Sequence, residues 1–143
     1  MGAKQIHDQY GKRVLLDAFG SDFNSSPAPH PFGPEAGTAR IDGIVYEKIA
    51  VEIESRASKQ VRGALVDIAL YPLPLKLVVL LPVYGNHYTE RQCRVILKRI
   101  CSTESHFEVV TLSGTGSKCD LERDVAIVKD AVQRLTHFGD TSR

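Results

Sequence analysis

The sequence is short of most features that mark secreted, zinc-bound or membrane-spanning chains. It has three cysteines, Cys93, Cys101 and Cys119, and no CxxC pair. An odd count, with no histidine at ligand spacing, argues against a disulfide framework and against a zinc site. The five histidines (His7, His30, His87, His106 and His137) are scattered, so no imidazole site follows from them. The first residues, Met-Gly-Ala-Lys-Gln-Ile-His-Asp, lack the apolar core of a signal peptide. The longest apolar run, Leu77–Val83, is far too short to cross a bilayer. The expectation is a cytoplasmic, intracellular protein with no membrane partner. A formal net charge of +1 excludes a global basic field, so any basic surface must be local. Three local clusters exist: Lys12-Arg13, Arg56/Lys59/Arg62 and Arg91/Arg94/Lys98/Arg99. The last of these reads as the solvated face of a helix. Ser113–Cys119, Gly- and Ser-rich, lacks both the Gly-x(4)-Gly-Lys-Ser/Thr spacing and the third glycine of a dinucleotide fingerprint, so it reads as a connection. Internal repeats and low-complexity tracts are also missing.

What is present is an ordinary α/β pattern. A chain of 143 residues is the length of one domain, here taken as 1–143. Residues 4–19 read as a helix with Ile6, Tyr10, Val14, Leu15 and Ala18 on one stripe, stopped by Gly20. Residues 21–38 hold Pro27, Pro29, Pro31, Pro34, Gly33 and Gly37 and read as a Pro/Gly-rich loop, with at most one uncertain strand. A loop of that length either binds something or is a mobile connector. Val61, Ala64, Leu65, Ile68 and Ala69 form the stripe of a second helix that opens over Ser55–Ser58 and ends at Pro72 and Pro74. Leu75–Val83, bounded by prolines, reads as a strand covered on both faces. A strand after a helix after a hairpin implies a mixed sheet with a right-handed crossover. Thr89 would cap a helix to Cys101, His106–Leu112 is a further strand, and Leu121–Leu135 is the last helix. Thr136–Arg143 reads as a flexible polar tail. The order is αβββαβαβα.

The chemistry concentrates in Arg40–Glu54. Two strands, Ala39–Tyr46 and Ile49–Glu54, would meet at a tight turn around Glu47-Lys48. Ile49, Val51 and Ile53 fall on one face of the second strand; Ala50, Glu52 and Glu54 fall on the other. Asp42 lies on the partner strand. It shares a face with Glu52 and Glu54 only if the loop is odd in length or a bulge shifts the count, because one residue of slip flips a strand. An odd loop or a bulge is therefore the expectation. Three carboxylates gathered there would repel one another and raise their pKa values unless a cation sits among them. Oxygen ligands of this kind suit a hard ion such as Mg²⁺.

A helix, a hairpin carrying Asp42 and then Glu52-x-Glu54, a helix and a buried strand resemble the PD-(D/E)XK nuclease superfamily, which includes many restriction endonucleases and Holliday-junction resolvases. The resemblance covers about Lys4 to Val83. It implies a restriction-endonuclease-like αβββαβ core, a mixed central sheet flanked by helices, here with a C-terminal α-β-α extension. It implies Asp42 and Glu52 as Mg²⁺ ligands, with Mn²⁺ a substitute. Glu54 stands where the family more often has Lys, as in the minority of restriction enzymes with a second Glu, and would activate water or hold a second ion. Lys59 and Gln60, at the start of the following helix, would take over from the missing Lys. The family's first-helix acid has no obvious counterpart; Asp17 and Glu35 are the candidates. Arg56, Lys59, Gln60 and Arg62 would meet DNA phosphates without reading sequence.

The resemblance thus implies a Mg²⁺-dependent endonuclease on DNA, restriction-type first, with a resolvase or nicking enzyme as the alternative. Duplex cleavage needs two active sites, which implies a homodimer. A second class stays open, because fold does not fix function: an inactive nucleic-acid-binding or interaction module. In that case the carboxylates are a solvent-facing sheet edge with Lys or Arg partners across the strands.

Overall fold

The computed structural model describes residues 3–55, 58–82, 87–115 and 119–141. Among the described residues, apolar spacing near 3.6 residues builds four α-helices: α1 (Ala3–Phe19), α2 (Ser58–Leu70), α3 (His87–Ile100) and α4 (Leu121–Thr141). The strands are β1 (Phe23–Asn24), β2 (His30–Gly33), β3 (Gly37–Ala39), β4 (Gly43–Val45), β5 (Ile49–Glu54), β6 (Leu75–Leu80) and β7 (His106–Thr111). Five strands form a mixed sheet in the order β1-β4-β5-β6-β7. β1, β4 and β5 pair antiparallel, while β5, β6 and β7 run parallel. β2 and β3 form a separate antiparallel hairpin. None of the described helices is long and apolar enough to cross a membrane.

Helices cover both faces of the sheet. Ile49, Val51 and Ile53 of β5, with Leu75, Leu77 and Val79 of β6, face Val14 and Leu15 of α1 and Val128 and Val132 of α4. Ala50 of β5, with Val78 and Leu80 of β6, faces Val61 and Leu65 of α2 and Cys93 and Leu97 of α3. Strands covered on both sides have no polar face to spare, so every residue of β5 and β6 is buried. One of these is Lys76, inside the β6 run. Its ammonium donates to Ile68 O (2.7 Å) and Tyr71 O (2.8 Å), capping the carbonyl end of α2. Burial pushes the Lys76 pKa down.

Several boundaries differ from the expectation. The stretch Ala39–Tyr46 is not one strand: β3 ends at Ala39, and only Gly43–Val45 pairs with β5. Residues 21–38 are not one loop, because β1 joins the sheet and β2 and β3 pair around the Gly33–Gly37 turn, both glycines at positive φ. Thr89 is the third residue of α3 rather than its cap. The stretch after Leu135 is helical as far as it is described: α4 continues to Thr141, and Phe138 stacks on His106 with ring centroids 4.8 Å apart. That long-range ring contact extends a helix whose apolar stripe ends at Leu135.

Candidate active site

The hairpin register decides which carboxylates meet. Val45 pairs with Ile49, leaving three residues, Tyr46, Glu47 and Lys48, in the loop. Tyr46 and Glu47 both have positive φ (54° and 58°), and Lys48 N–H donates to Val45 O at 3.0 Å. The count is odd, as the shared face requires. Gly43 pairs with Val51, so Asp42 falls opposite Glu52, on the face of Glu52 and Glu54. The backbone holds Asp42 there. Its N–H donates to Val51 O (3.0 Å), and its Oδ2 accepts Ile53 N–H (2.7 Å) just beyond the last ladder pair. Glu54 Oε1 accepts Ser55 N–H at 3.1 Å.

Two further acids come from the flanking helices. Asp8 of α1 accepts a hydrogen bond from Ser55 Oγ at 3.4 Å. α1 approaches that closely because residue 11 is glycine: a Cβ there would lie 2.5 Å from Ile53 Cγ2. Asp67 of α2 accepts Arg40 N–H at 3.3 Å, tying α2 to the link between β3 and β4. Asp8, Asp42, Glu52, Glu54, Asp67 and Arg40 all line one cavity of about 430 Å³. It opens where β5 ends, and ligands in α/β sheets bind at the carboxyl ends of the strands. A larger cavity, about 810 Å³, lies by the Tyr46–Lys48 turn at the other end of β5. Its lining mixes Asp22, Glu47 and Lys48 with tyrosines and gathers no set of like groups, so the smaller cavity is the candidate site.

The electrostatics follow from crowding. Burial pushes the Glu52 pKa up to about 9, with Asp42, Glu54 and Asp67 adding to it and the Asp42 amide partly offsetting it. Asp42 is also raised, first by burial, then by Asp8 and Glu54, against the Ile53 amide and Lys12. A buried all-oxygen donor set whose members suppress each other's ionisation fits a hard divalent cation. The side chains are not drawn to one point, however. Among the described residues no three acidic, His or Cys groups stand as a ready ligand shell. Asp42 and Glu54 instead turn oxygens to backbone amides.

Of the residues singled out in the sequence, Asp42, Glu52 and Glu54 share the cavity. Asp17 is exposed, nine residues beyond Asp8 in α1, and Glu35 is exposed in the β2–β3 turn; neither lines the cavity. Asp8 is the first-helix acid that does. It was missed because its neighbours give no signal; only the close passage of α1 over Ile53 reveals it. Asp67 was missed because a carboxylate on an α2 stripe edge looks like a solvated one. Arg62 is exposed on α2. Arg56 and the side chains of Lys59 and Gln60 lie outside the described residues. The connection after β7 is organised by another acid. Asp124, fully buried, accepts Tyr10 OH (2.5 Å), Ser113 N–H (2.6 Å), Ser113 Oγ–H (2.7 Å) and Gly114 N–H (2.9 Å). That set makes it a structural clamp between α1 and α4.

Comparison with family models, with curated proteins and with solved structures gives no match, so the function is argued from the site.

Proposed function

We propose that this protein is a Mg²⁺-dependent endonuclease that hydrolyses DNA phosphodiester bonds. The observation that carries the reading is the five-carboxylate cavity at the end of β5, fed by four separate segments, where burial and the neighbouring acids push the Glu52 pKa up. The order α1, an antiparallel β1-β4-β5 meander, α2 and a parallel β6 is compatible with a restriction-endonuclease-like αβββαβ core. α3, β7 and α4 would be the α-β-α extension. The β2–β3 hairpin is an insertion in that order.

Asp42 and Glu52 would hold the metal, with Asp8 beside them. When bound to such a set, Mg²⁺ or Mn²⁺ supplies charge stabilisation for the transferring phosphoryl group and lowers the pKa of a bound water. Glu54 accepts the proton of the attacking water as general base, or completes a second ion site. Lys59 and Gln60, in the first turn of α2, assist by orienting that water. Arg56 and Arg62 meet the phosphate backbone. Restriction-type cleavage by a homodimer is the first reading, and a resolvase or nicking enzyme follows from the same chemistry. A second reading, an inactive nucleic-acid-binding module, is favoured by one observation: Asp42 and Glu54 already spend oxygens on backbone amides.

The test is incubation of supercoiled plasmid, linear duplex and branched DNA with Mg²⁺, with Mn²⁺ or with chelator. The reading expects metal-dependent cutting by the wild type and a loss of about two orders of magnitude or more in Asp42→Asn and Glu52→Gln. No cutting of any substrate, with DNA still bound, selects the inactive module.

A further inference from the structure

The carboxylate cavity has one cation in its lining, Arg40, and a second, Lys12, one helical turn from its Asp8, and neither forms an ion pair among the described residues. The salt bridges between described residues join Arg94 to Glu90 and Glu108, and Arg134 to Glu108, all on the α3, β7 and α4 side of the molecule. Neither Lys12 nor Arg40 takes part in them. Yet both stand at the acidic site. Arg40 lines it, on the link where its backbone N–H is held by Asp67, while its side chain is exposed. Lys12 is one helical turn after Asp8, on the same side of α1, half-buried, and its charge is felt at Asp42. Gly11, beside it, presses α1 onto Ile53 on the other face of β5, close to the strand end where the cavity opens. The two cations therefore come from separate segments, α1 and the β3–β4 link: Arg40 lines the cavity, and Lys12 follows the cavity-lining Asp8 by one helical turn. A structural role would satisfy one acid with one cation at contact distance. Two cations held near an acid cluster without closing onto it present charge to an anion that the acids cannot bind by themselves.

We propose that Lys12 and Arg40 are the phosphate-binding pair of this site, gripping backbone phosphates of a polynucleotide strand laid across the carboxylate cavity. The inference rests on the nuclease reading and adds to it the residues that hold the substrate at the metal end. These contacts go to phosphate, so they position the strand without reading its bases. Lys12 acts as a point charge, and Arg40 can take a phosphate with two parallel hydrogen bonds.

The experiment measures binding of a fluorescent duplex in Ca²⁺ over a range of salt, for wild type, Lys12→Gln, Arg40→Gln and the double variant. Arg99→Gln, exposed on α3, is the control. Mn²⁺ binding without DNA is followed by calorimetry in parallel, and thermal unfolding checks that each variant is folded. The proposal expects each single variant to weaken duplex binding roughly tenfold on unrelated sequences. It expects each to lower the salt slope by about one unit. Arg99→Gln should match wild type, and Mn²⁺ affinity should stay equal or rise in Lys12→Gln and Arg40→Gln. Lys12→Arg should retain binding. Duplex affinity that is unchanged, or that falls only as far as in Arg99→Gln, overturns the pair while leaving Mn²⁺ binding and the nuclease reading intact. A wild type that binds neither Mn²⁺ nor duplex overturns both.

Discussion

Glu52 lies 93% buried between Asp42, Glu54 and Asp67, and its raised pKa has a consequence for stability. Its pKa rises from an ordinary 4.5 to about 9 on folding. Between those values the folded chain keeps a proton that the unfolded chain has released. The stabilising contribution is therefore complete below pH 4.5 and is lost as the pH rises through 9. The slope reaches about 1.4 kcal/mol per pH unit in the middle of that range. Asp42 shifts in the same direction. Unfolding by urea without divalent ions should show the wild type losing stability from pH 6 to pH 9. Glu52→Gln, which stays neutral, should lose much less and be the more stable protein at pH 8.5. A wild-type profile that is flat over this interval contradicts the crowding argument. Two residues along α1 from Asp8, Tyr10 donates to Asp124, and Asp124→Ala would orphan donors from Tyr10, Ser113 and Gly114. The expected loss is about 3 kcal/mol or more by denaturant titration. A cost below about 1 kcal/mol would mean that water replaces the clamp easily.

At the level of elements, two close approaches set the site. Gly11 lets α1 touch β5, and Gly43 lets β4 pass under Phe23, whose ring a Cβ would strike. Gly11→Ala should cost about 1–3 kcal/mol, since Ile53 is buried and cannot swing aside freely. It should also weaken divalent-cation binding by moving Asp8 away, whereas Gly43→Ala disturbs Phe23 and the position of Asp42. Calorimetry and thermal unfolding on both variants separate the effects. Unaltered cation binding in Gly11→Ala would show that α1 contributes nothing to the site. Much of this layer is legible in the chain. The Ile49/Val51/Ile53 alternation, the α2 stripe and the α4 stripe are local patterns, and the shared face of Asp42 and Glu52 follows once the loop count is odd. What is not legible depends on distant partners. The β2–β3 hairpin forms among prolines with no alternation to announce it. Lys76 sits in a run that reads as apolar because its partners, Ile68 O and Tyr71 O, are backbone atoms. Asp8 joins the site through a helix crossing that no residue spacing encodes.

Across the whole molecule, the parallel strands β5, β6 and β7 direct their carboxyl ends toward one side, and the acids collect at the β5 end. The opposite flank is built differently. β7 is the edge strand of the sheet among the described residues, and Arg94 donates to Val109 O at 2.6 Å while Glu90 accepts from Thr111 Oγ1. Charges placed on an edge in this way oppose strand pairing with another copy. Any self-association would therefore use a surface other than the β7 edge. Sedimentation of Arg94→Ala tests this, with a gain of self-association expected only if that guard is removed. The proposed chemistry requires the cavity to accept a divalent ion, and the most direct measurement is calorimetric titration of Mn²⁺ into the metal-free protein in two buffers of different ionisation enthalpy. The expected result is saturable binding with proton release near pH 7.5, as Glu52 gives up its proton, and loss of binding in the Asp42→Asn, Glu52→Gln double variant. No saturable heat, or equal binding in the double variant, would contradict it.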